Sequence, residues 1–229
     1  MAPDLDGKAA RQRASKAQLY DGFAIIGKAL ASGRRLEILD VLAQGPRSVE
    51  MIGVEIGQSV ANTSQHLRVL ATSGLVEAER RGNQVIYALA RPEVGGLLER
   101  IRDIASEQLE AIEQLVSDHL GQRHEIDWIT KRELRRRLRR HEVVLIDVRT
   151  ADDFAAGHIA GARSMPLQEL ARQIGDLPSG VDVVAYCRGP FCALADDAVR
   201  MLRRHGFRAL RLEDGFPEWE RAGLPTSSH

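Results

Sequence analysis

Both cysteines of this 229-residue chain fall in one short stretch, Tyr186-Cys187-Arg188-Gly189-Pro190-Phe191-Cys192. The apolar run Val181 to Tyr186 reads as a buried strand, and Ala195, Ala198, Val199 and Leu202 have helical spacing within Ala193 to His205. Cys187 is therefore expected on a strand-to-helix turn. Backbone N–H groups in such a turn and in the first helical turn have no helical partners, so they favour an anion. A thiolate is such an anion, and this field should lower the Cys187 pKa and make the sulfur nucleophilic. Cys192, in the same loop, supplies a second thiol that can resolve a persulfide or sulfenate on Cys187. Two buried structural cysteines are the bland alternative, and the Gly189-Pro190 turn weighs against it.

With the loop itself, four motifs stand between about Ile126 and Pro225. They are Val144-Leu145-Ile146-Asp147-Val148-Arg149 leading to Asp153-Phe154-Ala155-Ala156-Gly157-His158-Ile159-Ala160-Gly161-Ala162, then Met165-Pro166, then the Tyr186-Cys187-Arg188 loop start, and finally Asp214-Gly215-Phe216-Pro217-Glu218-Trp219. This set resembles the rhodanese (sulfurtransferase) family over the whole segment. The resemblance implies that Cys187 accepts a sulfane sulfur from thiosulfate or a persulfide donor and carries it as Cys187-S-SH. Asp147 and Arg149 read as a salt-bridged frame for the loop, and His158 and Trp219 as structural. One departure stands out: the family places a basic residue five positions after the cysteine, where it helps to hold an anionic donor, and here that position is Cys192. The change argues against turnover and for sensing. The related phosphatase and arsenate-reductase loops need C-x5-R, and residue 193 is Ala.

The elements that must position this loop follow as strand Val143 to Val148, helix Ala151 to Ala156, helix Leu167 to Ile174, strand Val181 to Tyr186, helix Ala193 to His205 and strand Arg208 to Leu212. Strands alternating with helices imply a parallel sheet covered on both faces, with its ligand site at the carboxyl ends of the strands. Cys187 lies at one such end and Asp147 to Arg149 at another.

The N-terminal half reads differently. Residues 1–18 are expected to be a flexible tail, small, charged and aperiodic over most of its length. Leu19, Phe23, Ile26 and Leu30 then mark an amphipathic helix. Ser32 is a candidate cap for a helix carrying Leu36, Ile38, Leu39 and Leu42, and Ser48 caps a short helix from Val49 to Ile56. After Gly57-Gln58-Ser59 a fourth helix runs from Val60 to the Ser73-Gly74 stop. Two short helices around a Gly-containing turn form a helix-turn-helix. Two β-type runs between Leu75 and Leu89 flank a polar Gly82-Asn83 tip, a hairpin signal. Together they make a winged helix.

Residues 19–120 resemble the ArsR/SmtB repressors, most clearly in Leu36-Glu37-Ile38-Leu39, Ser64-Gln65-His66-Leu67-Arg68-Val69-Leu70 and Gly74-Leu75-Val76. The fourth helix is then the recognition helix. Ser59, Asn62, Thr63, Gln65 and His66 can bond base edges in the major groove, Arg68 can clamp a phosphate, and Arg80 and Arg81 on the wing can meet backbone or minor groove. An ordinary solvated polar face is the alternative. The arsenic-type C-x-C pair is absent from Val49 to Ile56, and Asp103, Asp118 and His119 lack the paired spacing of a zinc-type site, so no metal and no other cofactor is expected.

From Glu93 to Leu120 the positions Val94, Leu98, Ile101, Ala105, Leu109, Ile112 and Val116 form one apolar stripe that must be buried. The ArsR resemblance implies that this helix pairs with the first across a two-fold axis, giving a homodimer matched to a palindromic double-stranded DNA operator. Packing within one monomer is the alternative. Residues 121–127 read as a linker, and 128–229 as the rhodanese-like domain. At its start, Lys131 to Arg140 is a helix with an apolar edge at Leu134 and Leu138 and a strongly basic face. That face is solvated, reaches flanking phosphates or contacts the acidic dimer helix.

Composition bounds these readings. With 32 basic and 32 acidic residues the formal charge is zero, so any DNA footprint must be local. At 229 residues the chain is long enough for two domains, and hydrophobic content of 44% with 28% charge and no long apolar run describes a globular protein without a membrane span. The first residues lack the apolar core of a secretory signal, so a cytoplasmic location with reduced thiols is expected. The fold class is two domains, a mainly α winged helix-turn-helix followed by an α/β rhodanese domain with a parallel sheet. The function expected is a DNA-binding transcriptional regulator that senses a small sulfur donor (polysulfide, persulfide or thiosulfate) through Cys187 and Cys192. The bridge is a disulfide or one lengthened by extra sulfur atoms. The rivals are a sulfurtransferase tethered to a DNA-binding domain and a simple oxidant sensor.

Overall fold

The computed structural model describes residues 5–108, 110–120 and 123–228. The chain divides into two compact units, residues 1–98 and 99–229.

In the first unit α1 spans Leu5–Leu30, α2 Gly33–Leu42, β1 Arg47–Ser48, α3 Val49–Glu55, α4 Val60–Thr72, β2 Val76–Arg81 and β3 Gln84–Leu89, followed by the start of α5, Pro92–Gln108. α1 begins well before Leu19, where a tail is expected. Residues 1–4 lie outside the described chain. The early part of α1 has no apolar stripe, but Ala, Lys, Arg and Gln are strong helix formers and need none.

Periodicity explains the core. Ile38, Leu39 and Leu42 of α2, Ile52 of α3, Leu67 and Leu70 of α4, Val76 of β2 and Val94 and Leu98 of α5 are all buried in one cluster. Ser48 caps α3 by accepting from the Met51 amide, and Ser59 caps α4 by accepting from the Asn62 amide. The turn between these helices is tight: the Gln58 amide donates to the Gly53 carbonyl at 2.8 Å, and a Cβ on Gly53 would stand 2.9 Å from the Gln58 oxygen. The wing is an antiparallel pair from Val76↔Leu89 to Arg81↔Gln84, with β1 on its other edge.

The second unit holds the rest of α5, then α6 Glu110–Leu120, β4 Trp128–Ile129, α7 Lys131–Arg139, β5 Val143–Asp147, α8 Ala151–Ala156, β6 His158–Ile159, β7 Arg163–Ser164, α9 Leu167–Gln173, β8 Asp182–Tyr186, α10 Ala193–Arg204, β9 Ala209–Leu212, α11 Phe216–Arg221 and β10 Thr226–Ser227. The expected helix from Glu93 to Leu120 is thus seen as α5 and α6, with Leu109 outside the described residues. Residues 121 and 122 of the expected linker also lie outside. Its later residues are structured, with Arg123–Glu125 in a 3-10 turn and Ile126 buried in the core.

Five strands form a parallel sheet in the order β4-β9-β8-β5-β7. Side chains on a strand alternate between faces, and the two cores follow that alternation. Val183, Ala185 and Cys187 join Ile146 and Val148 under Ala195, Ala198, Val199 and Leu202 of α10. Val184 and Tyr186 join Leu145 on the opposite face, with Leu134 of α7 and Phe216 and Trp219 of α11. The sheet is covered on both sides, and β8 delivers Cys187 at its carboxyl end.

Candidate functional site

Cys187 and Cys192 are joined by a disulfide, with Cα atoms 6.4 Å apart. That separation lies within the ordinary range for a direct bridge, about 4.4 to 6.8 Å. Cys187 is 1% exposed, whereas Cys192, the N-cap of α10, is half-buried.

Two arginines grip the loop from beneath. Arg211 of β9 points its Nη2 at the carbonyl oxygens of Gly189, Pro190 and Cys192, at 3.1, 3.2 and 3.1 Å. Its Nε stands 2.7 Å from Oδ1 of Asp196 in the first turn of α10. Arg123 donates to the Pro190 carbonyl at 2.7 Å and to Asp196 Oδ2 at 2.9 Å. Both guanidiniums also lie over the Trp128 ring, at 4.6 and 4.8 Å. Burial pushes the Arg211 pKa down to about 10, while Asp196 acts the other way, so the guanidinium keeps its charge at neutral pH. Sequence reasoning missed Arg211 and Arg123. For Arg211 the available signal was an arginine inside an otherwise apolar strand, whereas Arg123, in a 3-10 turn, carried none.

A second support comes from the turn before α11. The Phe216 amide donates to the Cys187 carbonyl at 3.1 Å. Gly215 is pressed on the Arg188–Gly189 peptide so closely that a Cβ would lie 2.5 Å from the Arg188 oxygen and nearer still to the Gly189 nitrogen. Glu218 Oε2 accepts from the Gly215 amide at 3.0 Å, and its Oε1 accepts from Arg102 Nη2 at 2.7 Å and from Arg221 Nη2 at 3.3 Å. Arg221 also donates to Glu99. The Arg102 guanidinium lies 5.9 Å from the Phe191 ring, between the two cysteines in sequence. Glu99 and Arg102 belong to α5, so α5 touches both the loop and its support.

The other residues singled out by sequence sort clearly. Arg149 makes a bidentate pair with Asp147, both with fully buried side chains, and donates to the Gly157 carbonyl. The Arg149 guanidinium also lies over the Tyr186 and Phe216 rings, at 5.8 and 4.6 Å. Arg188 pairs with the buried Asp153 at 3.1 Å. His158 stacks on Phe154 and bonds its carbonyl, and Trp219 Nε1 donates to the Pro225 carbonyl. Burial, with Asp147 nearby, drives the Tyr186 phenol pKa upward, and its oxygen accepts from the Ile159 amide.

On the first unit, Asn62, Gln65 and Arg68 are exposed on α4 and His66 is half-buried. Thr63 is fully buried and its hydroxyl donates to the Ser59 carbonyl, which turns it into the core. The Ser59 hydroxyl is occupied as the α4 cap. On the wing, Arg81 pairs with Glu79 at 2.7 Å, and Arg80 bonds the Gly82 carbonyl. Among the described residues no group of three or more His, Cys, Asp or Glu side chains is placed to hold a metal, and no helix is long and apolar enough to cross a membrane.

Comparison with known proteins matches each half. The model of the bacterial regulatory protein, arsR family, matches residues 32–78, and that of the rhodanese-like domain matches residues 130–222. The HTH-type transcriptional regulator Rv0324 of Mycobacterium tuberculosis is 45% identical over 216 residues, spanning 94% of this chain and 95% of that one. A sulfurtransferase of Allochromatium vinosum is 35% identical over 85 residues, 37% of this chain and 81% of its own. The homodimeric winged helix-turn-helix DNA-binding domain Mb0332 of Mycobacterium bovis, a possible ArsR-family regulator, is 43% identical, covering 48% of this chain and 95% of that one with a TM-score of 0.39.

Proposed function

The chain belongs to the ArsR-family HTH-type transcriptional regulators that carry a C-terminal rhodanese-like domain, and from that premise we propose that it is a repressor whose DNA affinity answers to reactive sulfur at Cys187 and Cys192. The observation that carries this reading is the pairing of those two sulfurs in one loop, at the position where the rhodanese resemblance implies a donor-binding cation.

The chemistry has two steps. In the first, the Cys187 thiolate attacks the outer sulfur of a persulfide or polysulfide. A Cys187 S–S bond forms, the donor S–S bond breaks, and the donor leaves as a thiolate. In the second, the Cys192 thiolate attacks Sγ of the Cys187 persulfide, forming the disulfide and expelling hydrosulfide. The sulfur donor is the oxidant, and the bridged loop is the product.

The network from Phe191 and Gly215 through Glu218 to Arg102 supports a route by which closing the bridge biases α5. A coupling of about 1 to 3 kcal/mol changes affinity about 5- to 150-fold. Large apolar side chains left exposed on α1, namely Leu19, Tyr20, Phe23 and Ile25, support pairing of two copies in a homodimer. The operator is then a palindrome met by Asn62, Gln65 and His66, with Arg68, Arg80 and Arg81 on phosphates. The location is the cytoplasm.

The test is operator-fragment anisotropy on reduced protein before and after stoichiometric polysulfide, with intact mass read on the same samples. Affinity that changes as the Cys187–Cys192 peptide gains sulfur or loses its thiol hydrogens supports the sensor. Mass change without a change in affinity sinks it. The similarity to the Allochromatium sulfurtransferase favours a second reading, an enzyme carried by a DNA-binding domain. Wild-type turnover of thiosulfate with cyanide by a Cys192→Ala variant supports that one.

A further inference from the structure

Helix α7 concentrates charge that the loop chemistry does not use. Over residues 131–140 seven basic residues stand against one glutamate, in a chain whose total charge cancels. Four of the seven have acidic neighbours: Arg136 and Arg137 close on Glu133 at 2.6 and 2.7 Å, Lys131 meets Asp214 at 3.1 Å, and Arg140 stands 3.6 Å from Glu142. Arg132, Arg135 and Arg139 pair with no acidic side chain among the described residues, and all three are exposed. They stand at i, i+3 and i+7, which places them on one face, about 10 Å long at a rise of about 1.5 Å per residue. That face is turned away from Leu134, which is buried in the core.

Like charges at this spacing weaken a helix, so the face is a cost to the isolated unit that a polyanion would offset. Duplex DNA presents one negative charge per about 1.7 Å of axis, about six along such a face. An acidic protein surface has the same sign but not the same density. This protein is also a DNA-binding regulator, so its second unit is held at high local phosphate concentration whenever the first is engaged. We propose that Arg132, Arg135 and Arg139 bind the phosphate backbone of duplex DNA outside the base pairs read by the helix-turn-helix. This inference does not depend on sulfur sensing.

The test uses the full-length reduced protein and a fluorescein-labelled duplex of random sequence, about 40 base pairs long, titrated across salt concentrations. Replacing Arg132, Arg135 and Arg139 together by Ala is expected to flatten the slope of log affinity against log salt by about 2.7 per protomer, three contacts at about 0.9 each. The corresponding Lys triple retains the slope. Replacing Arg163, Arg172 and Arg204, also exposed on this unit, removes the same charge elsewhere and should leave the slope in place. Thermal melts of each variant report folding separately. An Ala triple with the wild-type slope, or a wild type that does not bind the duplex at low salt, overturns the proposal. So does an Ala triple that changes the sedimenting mass and not the slope, because the face then packs on a second copy.

Discussion

Gly215 rests on the carbonyl of Arg188, with room for no side-chain atom between them, since a Cβ would stand 2.5 Å from that oxygen. Gly215→Ala must therefore displace the turn, the loop or both. We expect unfolding free energy to fall by about 1 to 3 kcal/mol, as for other overpacked sites. The reaction of Cys187 with polysulfide should slow at least about 10-fold, the equivalent of about 1.4 kcal/mol. Urea denaturation and time-resolved intact mass read the two effects. An unchanged reaction rate would show that the loop does not depend on this contact.

Arg211 is 1% exposed and Asp196 fully buried, and together they tie three loop carbonyls to α10. Arg211→Ala leaves Asp196 with Arg123 alone and removes the shared donor of those carbonyls. Breaking a buried pair from one side costs about 3 to 5 kcal/mol. The loss should appear in the unfolding transition of residues 99–229, with that of the winged helix unmoved. Adding Asp196→Asn should restore part of it, and a double variant less stable than the single would contradict the pairing.

Most of the second unit was legible because each buried strand and amphipathic helix states its own period. β5, α8, α9, β8, α10 and β9 lie within one or two residues of the spans read from sequence. The two-residue strands β4, β6, β7 and β10 were not legible, since two residues carry no period. Nor were Arg211, Arg123, Arg102 and Glu218, whose roles depend on contacts between residues far apart in the chain. The Cys187 loop was found by its residue types, but what holds it was not. In the first unit the helix-turn-helix and wing were legible from caps and turn glycines, whereas the helical nature of residues before Leu19 was masked by the lack of an apolar stripe.

The recognition helix separates two residues of similar polarity. Thr63 is buried with its hydroxyl on the Ser59 carbonyl, whereas Gln65 projects to solvent. Thr63→Val should lower stability by about 1 kcal/mol, the net worth of one hydrogen bond, and leave operator discrimination intact. Gln65→Ala should do the reverse, costing about 1 to 3 kcal/mol of discrimination at one base pair. Competition binding against single-base operator variants, beside thermal melts, distinguishes them.

Glu133 is held by Arg136 first and Arg137 second, which bring its carboxyl pKa from 4.5 to about 2. A carboxylate whose folded pKa is depressed contributes stability above the unfolded value and loses it as pH falls toward the folded one. The melting difference between wild type and Glu133→Gln should therefore be constant from pH 5 to 8 and shrink between about 4.5 and 2. A difference that survives at pH 2 would mean the pair contributes by packing and not by charge.

Arg102 offers the sharpest separation of loop chemistry from its consequence. Its guanidinium joins α5 to Glu218 at 2.7 Å and faces Phe191, yet it lies outside the disulfide and the carbonyls that Arg211 holds. Arg102→Gln should leave bridge formation by polysulfide at its wild-type rate, because Glu218 keeps Arg221 and the Gly215 amide. The ratio of operator affinities between reduced and bridged protein should instead fall toward one, from the roughly 5- to 150-fold that a coupling of about 1 to 3 kcal/mol supports. Arg102→Lys, which keeps the charge but not the planar guanidinium, should restore part of the ratio. A ratio unchanged in Arg102→Gln would mean that the loop reports to α5 by another path, whereas loss of bridging itself would place Arg102 in the support of the loop.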